Sequence, residues 1–202
     1  MVFCCRYKYK FESGFFVLIP IFLALRSVPS FFFRVEVKEK ETFLYVKPHF
    51  FRKMISFLKL HTLTQVAQFV DLTVIDHPSS VRRFTLVYSF LSFTWNFRVH
   101  LVFSISEMEM VPSLVDLYPS ASWAEREAFD MFGVFFSNHP DLRRILTDYG
   151  FRGFPLRKDF PLTGYLEVRF DDEQKRVLYE PIELSQELRV FDFNSPWGPR
   201  KG

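Results

Sequence analysis

Two cysteines in 202 residues, adjacent at Cys4 and Cys5, are too few for a disulfide framework. Neighbouring residues rarely close a structural disulfide, and an iron–sulfur cluster normally draws on four thiolates, so this chain is not expected to hold a cluster alone. Glycine is scarce too, at seven residues, and no Gly-x-Gly-x-x-Gly or other phosphate-cradling loop occurs. A formal net charge of +3 is too small to argue for nucleic acid on electrostatics. The apolar run Phe15 to Leu25 is broken by Pro20 and falls well short of the about twenty residues that a membrane span requires. It reads as a buried helix or an interface segment. The histidines, His49, His61, His77, His100 and His139, show no metal-ligand spacing. His100 reads as a strand residue and His139 as a turn residue with a hydrogen-bonding role.

What the chain has in excess is phenylalanine, 28 residues against five alanines. Phenylalanine codons are T-rich while those of glycine and alanine are G- and C-rich, so the bias suggests, as a hypothesis, coding in an AT-rich organellar genome. A chain that is 49% hydrophobic and 24% charged is globular, and its length suits one sizeable core.

The pattern predicts an α+β fold, a single compact domain with a mixed or antiparallel sheet and flanking helices, followed by a long extended tail. The divisions expected are a variable segment over 1–30, the compact domain over 31–137 and an interface-forming tail over 138–202. Alternation of Phe33, Val35 and Val37 with Arg34, Glu36 and Lys38, a turn at Glu39 to Glu41, and the run Thr42 to Lys47 predict a hairpin. Pro48 opens a helix with Phe50, Phe51, Met54, Ile55 and Leu58 on one face. Three strands follow, Phe69 to Ile75, Phe84 to Leu91 and Phe97 to Ile105, the last two paired, and then a short helix from about Pro112 to Tyr118. After Gly133 the apolar residues lose their period, and one hairpin is expected, Tyr165 to Phe170 with Arg176 to Ile182. Such a segment cannot build its own core, yet with Tyr165, Phe170, Tyr179, Phe191, Phe193 and Trp197 it is too apolar for a free linker. It should lie on a partner.

The stretch from Ser122 to Phe160 organises the rest. Ser122 and Glu125 have capping-box spacing, and Gly133 sits where a left-handed residue would end the helix Trp123 to Phe132. Arg126 and Asp130 are spaced to pair within it. Glu125 and Glu127 must find partners elsewhere, and Arg143, Arg144, Arg152, Arg157 and Lys158 follow, with Pro140 suited to open a second short helix. Two readings stand: an ion-pair network closed within the domain, or a docking surface completed by another protein. Acid–base catalysis by the three carboxylates is disfavoured by Arg126 among them and by the lack of a nucleophile or metal motif.

The motifs Glu125-Arg126-Glu127, Asp130-Met131-Phe132-Gly133, His139-Pro140-Asp141-Leu142-Arg143-Arg144 and Pro155-Leu156-Arg157-Lys158-Asp159-Phe160, continued by Glu180-Pro181-Ile182-Glu183 and Phe191-Asp192-Phe193, resemble the 30-kDa subunit family of NADH:ubiquinone oxidoreductase, respiratory complex I. The resemblance covers residues 50 to 197. Ala124, Arg152 and Phe154 depart from it, where the family more often has an aromatic, an acidic and a polar residue. It implies a cofactor-free scaffold subunit of the matrix arm, with the flavin mononucleotide and iron–sulfur clusters in neighbouring subunits. The 49-kDa subunit is the chief partner implied, and membrane contact comes only through the assembly. NADH oxidation, quinone reduction and proton translocation would belong to that assembly, with no catalytic residue in this chain. The signature residues carried over are Glu125, Arg126, Glu127, Asp130, Phe132, Gly133, His139, Arg143, Arg144, Arg157, Lys158 and Asp159. The runner-up, an organellar RNA-binding or ribosomal protein, rests on Gly150-Phe151-Arg152-Gly153 as the Gly-x-x-Gly of a KH loop with basic residues around it.

Overall fold

Period-two alternation in five stretches builds the centre of the fold, and helices with one apolar stripe close it. The computed structural model describes residues 19–38, 41–191, 193 and 197. Cys4 and Cys5, the Phe15–Leu18 part of the apolar run, the turn residues Glu39 and Lys40, and Asp192 lie outside them. Two units divide the chain, Met1–Phe160 and Pro161–Gly202.

In the first unit, β1 (Phe32–Lys38), β2 (Glu41–Val46), β3 (Gln68–Asp76), β4 (Phe84–Ser92) and β5 (Phe97–Ile105) form one sheet in the order β1-β2-β5-β4-β3. Every pairing is antiparallel except β2 with β5, which runs parallel from Glu41 opposite Arg98 to Tyr45 opposite Val102. The mixed sheet of the expected α+β fold is therefore present. Phe97, Val99, Leu101, Phe103 and Ile105 all face inward, as their alternation requires.

Three helices share that core. α1 (Ile19–Leu25) buries Ile21, Ala24 and Leu25, and α2 (Phe51–Leu60), entered through a 3-10 turn at Pro48–Phe50, buries Phe51, Met54, Ile55 and Leu58. Phe51 lies 4.6 Å from the ring of Tyr88 and 4.4 Å from that of Phe103, so truncating it to alanine should cost about 3–5 kcal/mol. α3 (Ala121–Phe132) packs along β3. No helix among the described residues is long and apolar enough to cross a membrane.

Three local expectations fail. No helix forms over Pro112 to Tyr118. A short strand β6 (Val111–Pro112) instead pairs in parallel with β7 (Phe136–Ser137), and the Leu114 carbonyl closes a single turn with the Leu117 and Tyr118 N–H groups. The capping box does not close either: α3 starts at Ala121 with no side-chain cap, and Glu125 points into the core. In β1 a bulge between Phe32 and Arg34 turns Phe33 outward to 60% exposure.

In the second unit β8 (Leu166–Asp171) and β9 (Arg176–Pro181) form the expected antiparallel hairpin, tied by a two-pronged Arg169–Glu180 pair at 2.7 and 2.8 Å. Leu166, Val168, Phe170 and Val177 are all more than half exposed.

Candidate docking site on α3 and the segment it holds

The site begins with a carboxylate in the core. Glu125 is fully buried; the Ser113 hydroxyl donates to its Oε2 at 2.6 Å and the Leu114 N–H to its Oε1 at 2.7 Å. Burial raises its pKa to about 6, against the pull of those two bonds. It thus fastens α3 to the strand–turn segment before it. His139 lies on its far side, its Nδ1 accepting the Asp141 N–H at 3.0 Å, the local hydrogen bond expected of a turn histidine.

One helical turn on, Asp130 is also fully buried. Its Oδ2 accepts three successive N–H groups, of Ile145, Leu146 and Thr147, at 3.2, 2.8 and 2.9 Å. Its Oδ1 accepts the Thr147 hydroxyl at 2.6 Å and lies 3.4 Å from Arg144 Nη1. Burial alone would raise its pKa, but these bonds outweigh it and hold the carboxyl below its ordinary value. They also explain why Pro140 opens no helix: the N–H groups that would propagate one are bound to Asp130.

Gly133 ends α3 with φ 76°, its N–H on the Phe129 carbonyl. A Cβ there would stand 2.6 Å from Arg157 Nη2 and 2.7 Å from the Phe154 ring. Arg157 donates from Nε to the Phe132 carbonyl at 2.6 Å, pairs with Glu107, and stacks over Phe154 at 4.4 Å and Phe84 at 5.2 Å. Phe132 itself is half-buried against the core. The next two signature residues continue the clasp: the Lys158 N–H donates to Asp76 Oδ2 at 2.8 Å, and Asp159 lies 3.1 Å from Arg83. Arg83 grips Asp76 with two bonds, at 2.8 and 3.0 Å, which together with the Lys158 N–H keep the Asp76 carboxyl below its ordinary value.

The expected Arg126–Asp130 pair is not made. Arg126 lies over the Trp123 ring at 5.4 Å and donates to the Arg143 carbonyl at 3.2 Å, while Asp130 is saturated by the segment it holds. Arg143 pairs with Asp141 at the surface and Arg144 reaches the Gly153 carbonyl at 3.0 Å. Glu127 is exposed and makes no ion pair among the described residues. The strand expected from the sequence ends at Ile75, one residue short of Asp76, and Arg83, Glu107, Ser113 and Thr147 were not among the candidate residues. One signal was available, since Asp76 continues the inward alternation of Leu72 and Val74, and a charge at a core position demands a partner. The Gly150–Gly153 loop is not flanked by helices, and Arg144 and Arg157, two of the basic residues around it, are spent on carbonyls and carboxylates.

What these contacts build is a strap, residues 138–160, sewn to α3 and to the β3–β4 end of the sheet. The family model described as respiratory-chain NADH dehydrogenase, 30-kDa subunit, matches residues 44–166, which take in α3 and the whole strap. The chain belongs to this 30-kDa subunit family. Relatives include the NADH dehydrogenase [ubiquinone] iron-sulfur protein 3 of Beta trigyna, 58% identical over 150 residues, covering 74% of this chain and 78% of that one. An NADH-quinone oxidoreductase subunit of Ruegeria sp. (strain TM1040) is 55% identical over 152 residues, 75% of this chain and 76% of that one. A chain in the structure of the membrane-bound sulfane sulfur reductase, an archaeal respiratory membrane complex, shares the fold at a TM-score of 0.61 and 21% identity, covering 77% of this chain and 95% of that chain. As a 30-kDa family member the chain is a subunit type of an NADH:quinone oxidoreductase of the respiratory chain. The strap thus lies inside the family-defining region.

Proposed function

We propose that the chain is a cofactor-free scaffold of the matrix-side peripheral arm of mitochondrial complex I, gripping the 49-kDa subunit near the quinone-proximal part of the arm. One observation carries this reading: the buried acids of the signature are consumed within the chain, Glu125 on the turn before α3 and Asp130 on the strap, while outward side chains of α3 and the strap are left for something else. Trp123, Leu146, Tyr149 and Leu156 are 68%, 58%, 99% and 53% exposed on α3 and the strap, and Glu127 is exposed on α3 as well. Aromatic and aliphatic anchors around a charge are the composition of an interface centre. Glu125 and Asp130 face hydrogen-bond donors of their own chain, so the chemistry they perform is fastening. Electron transfer and proton translocation then belong to the assembly, with its flavin and iron–sulfur groups in neighbouring chains, and the phenylalanine excess agrees with coding in the mitochondrial genome.

The test is to tag the chain in its organelle, solubilise in mild detergent and resolve the extract by native electrophoresis with an NADH-oxidation stain. Co-migration with a large NADH-active band is expected. Migration with ribosomal RNA or as a small free species overturns the reading. Hybridisation of the gene to purified mitochondrial DNA tests the coding site.

A further inference from the structure

Two arginines adjacent in the chain have opposite surroundings. Arg83 faces three carboxylates, Asp76, Asp159 and Glu107, at 2.8, 3.1 and 3.5 Å. Arg82 is exposed and has no carboxylate within ion-pair distance among the described residues. It stands on the rim of a groove of about 530 Å³ on the outer face of the sheet, between the β3–β4 loop and the ends of β1, β2 and β5. Phe33, Tyr45 and Val102 give the groove an apolar lining, Val81 and His77 stand on the loop side with Arg82, and no acidic residue lines it. The bulge in β1 is what turns Phe33 toward this side, at the cost of leaving its ring 60% exposed, and Val81 is 95% exposed.

We propose that this groove seats a segment of a partner polypeptide in which a carboxylate adjoins an apolar or aromatic side chain. The apolar side chain lies in the trough and the carboxylate meets Arg82. A guanidinium fork matches a carboxylate with two parallel bonds, and beside an apolar pocket that pairing is shielded from water. Phe33 and Val81 border the groove at 60% and 95% exposure, an apolar surface on either side of the trough that a polypeptide lying across it would cover, which favours the larger partner. No residue of the strap or of α3 lines the groove, so it gives the subunit a second contact. It rests on the reading of the chain as a subunit of a larger assembly.

The experiment places a photo-crosslinking amino acid at position 81 of the tagged full-length chain and illuminates the assembly that the tag retrieves. Mass spectrometry then maps the product. The expected product is a peptide of another subunit with Asp or Glu adjacent to the linked side chain. Arg82→Glu lowers its yield by about tenfold, in line with the loss of a close charge pair, and a lysine in place of the partner's carboxylate restores it. Arg82→Gln, which removes the charge but keeps a polar side chain, gives an intermediate yield and guards against a folding artefact. A link to lipid, to this chain itself or to a peptide without a carboxylate overturns the proposal, as does no product or a yield indifferent to Arg82→Glu. The NADH stain on the same sample reports assembly membership separately: an NADH-active band without the cross-link removes the groove contact and leaves the subunit reading standing.

Discussion

His139 Nε2 stands 3.8 Å from Glu125 Oε2, with both side chains wholly out of solvent. Because His139 Nδ1 accepts the Asp141 N–H, the ring's proton sits on Nε2, and that N–H faces the carboxylate from beyond hydrogen-bond reach. The first residues of the strap thus rest on the buried acid that also holds the turn before α3.

A pH dependence follows. The pKa of Glu125, about 6, lies above its ordinary 4.5, so the folded chain holds this proton more tightly than the unfolded one. The resulting stabilisation is complete below about pH 4.5 and is lost as pH rises through about 6, a change of about 2 kcal/mol. Glu125→Gln can keep both hydrogen bonds, its amide donating to Ser113 and its carbonyl accepting from Leu114. Denaturant unfolding across pH 4.5 to 7 should show the variant gaining on the native chain by about that amount; a constant difference would refute the assignment.

Asp130 behaves with the opposite sign. Its lowered pKa means stability present above the ordinary carboxylate value of 3.8 and lost as pH falls below it. Asp130→Asn leaves the carboxylate's three N–H donors and Arg144 with a weaker acceptor, at a cost of about 2–4 kcal/mol. Hydrogen exchange should show the amides of Ile145, Leu146 and Thr147 losing protection while those of β4 and β5 keep theirs. Uniform loss across the sheet would mean that Asp130 supports the whole domain rather than the strap.

Arg83→Met strands the buried carboxylate of Asp76 and should cost about 3–5 kcal/mol. Arg83→Met with Asp76→Leu should recover much of it. A double variant no more stable than the single one would show that the Lys158 N–H, and not Arg83, is the partner that matters.

Gly133→Ala combines an αL backbone with a Cβ inside van der Waals contact of Arg157 and Phe154. The backbone alone costs about 1–2 kcal/mol, and displacing Arg157 from the Phe132 carbonyl adds to it. Proteolysis should then cut near the exposed Tyr149 faster than in the native chain.

Arg126→Ala is expected to cost less than about 1 kcal/mol, since its contacts are a carbonyl and a ring at the surface. A loss of several kcal/mol in thermal unfolding would restore the ion-pair network that its spacing suggests.

The sheet was legible because β4 and β5 alternate strictly and their turn is short, and α2 because its stripe and Pro48 agree. The parallel pairing of β2 with β5 was not, since nothing in either strand states which edge it will meet. Gly133 was legible as a helix stop from its type and place alone. The roles of Glu125 and Asp130 were half legible: two charges among aromatics announce that partners are needed. Their partners proved to be backbone N–H groups and the hydroxyls of Ser113 and Thr147, which any residue type can supply or which leave no charge pattern to read. The capping-box spacing misled because Ser113 and Leu114, distant from it in the chain, offered Glu125 better donors.

The parallel pairing of β2 with β5 also sets a timetable. Glu41 meets Arg98, so the β1–β2 hairpin leaves the ribosome with one edge unmatched until α2, β3, β4 and β5 have followed. At about 5–20 residues per second that interval is on the order of several seconds. During it, β2 offers a bare row of N–H and C=O groups, with Leu44 and Val46 uncovered beside them, to any strand nearby. The nascent chain is therefore open to wrong pairing while β2 waits, and β5, which carries β2 on one edge and β4 on the other, is the strand whose arrival ends that exposure.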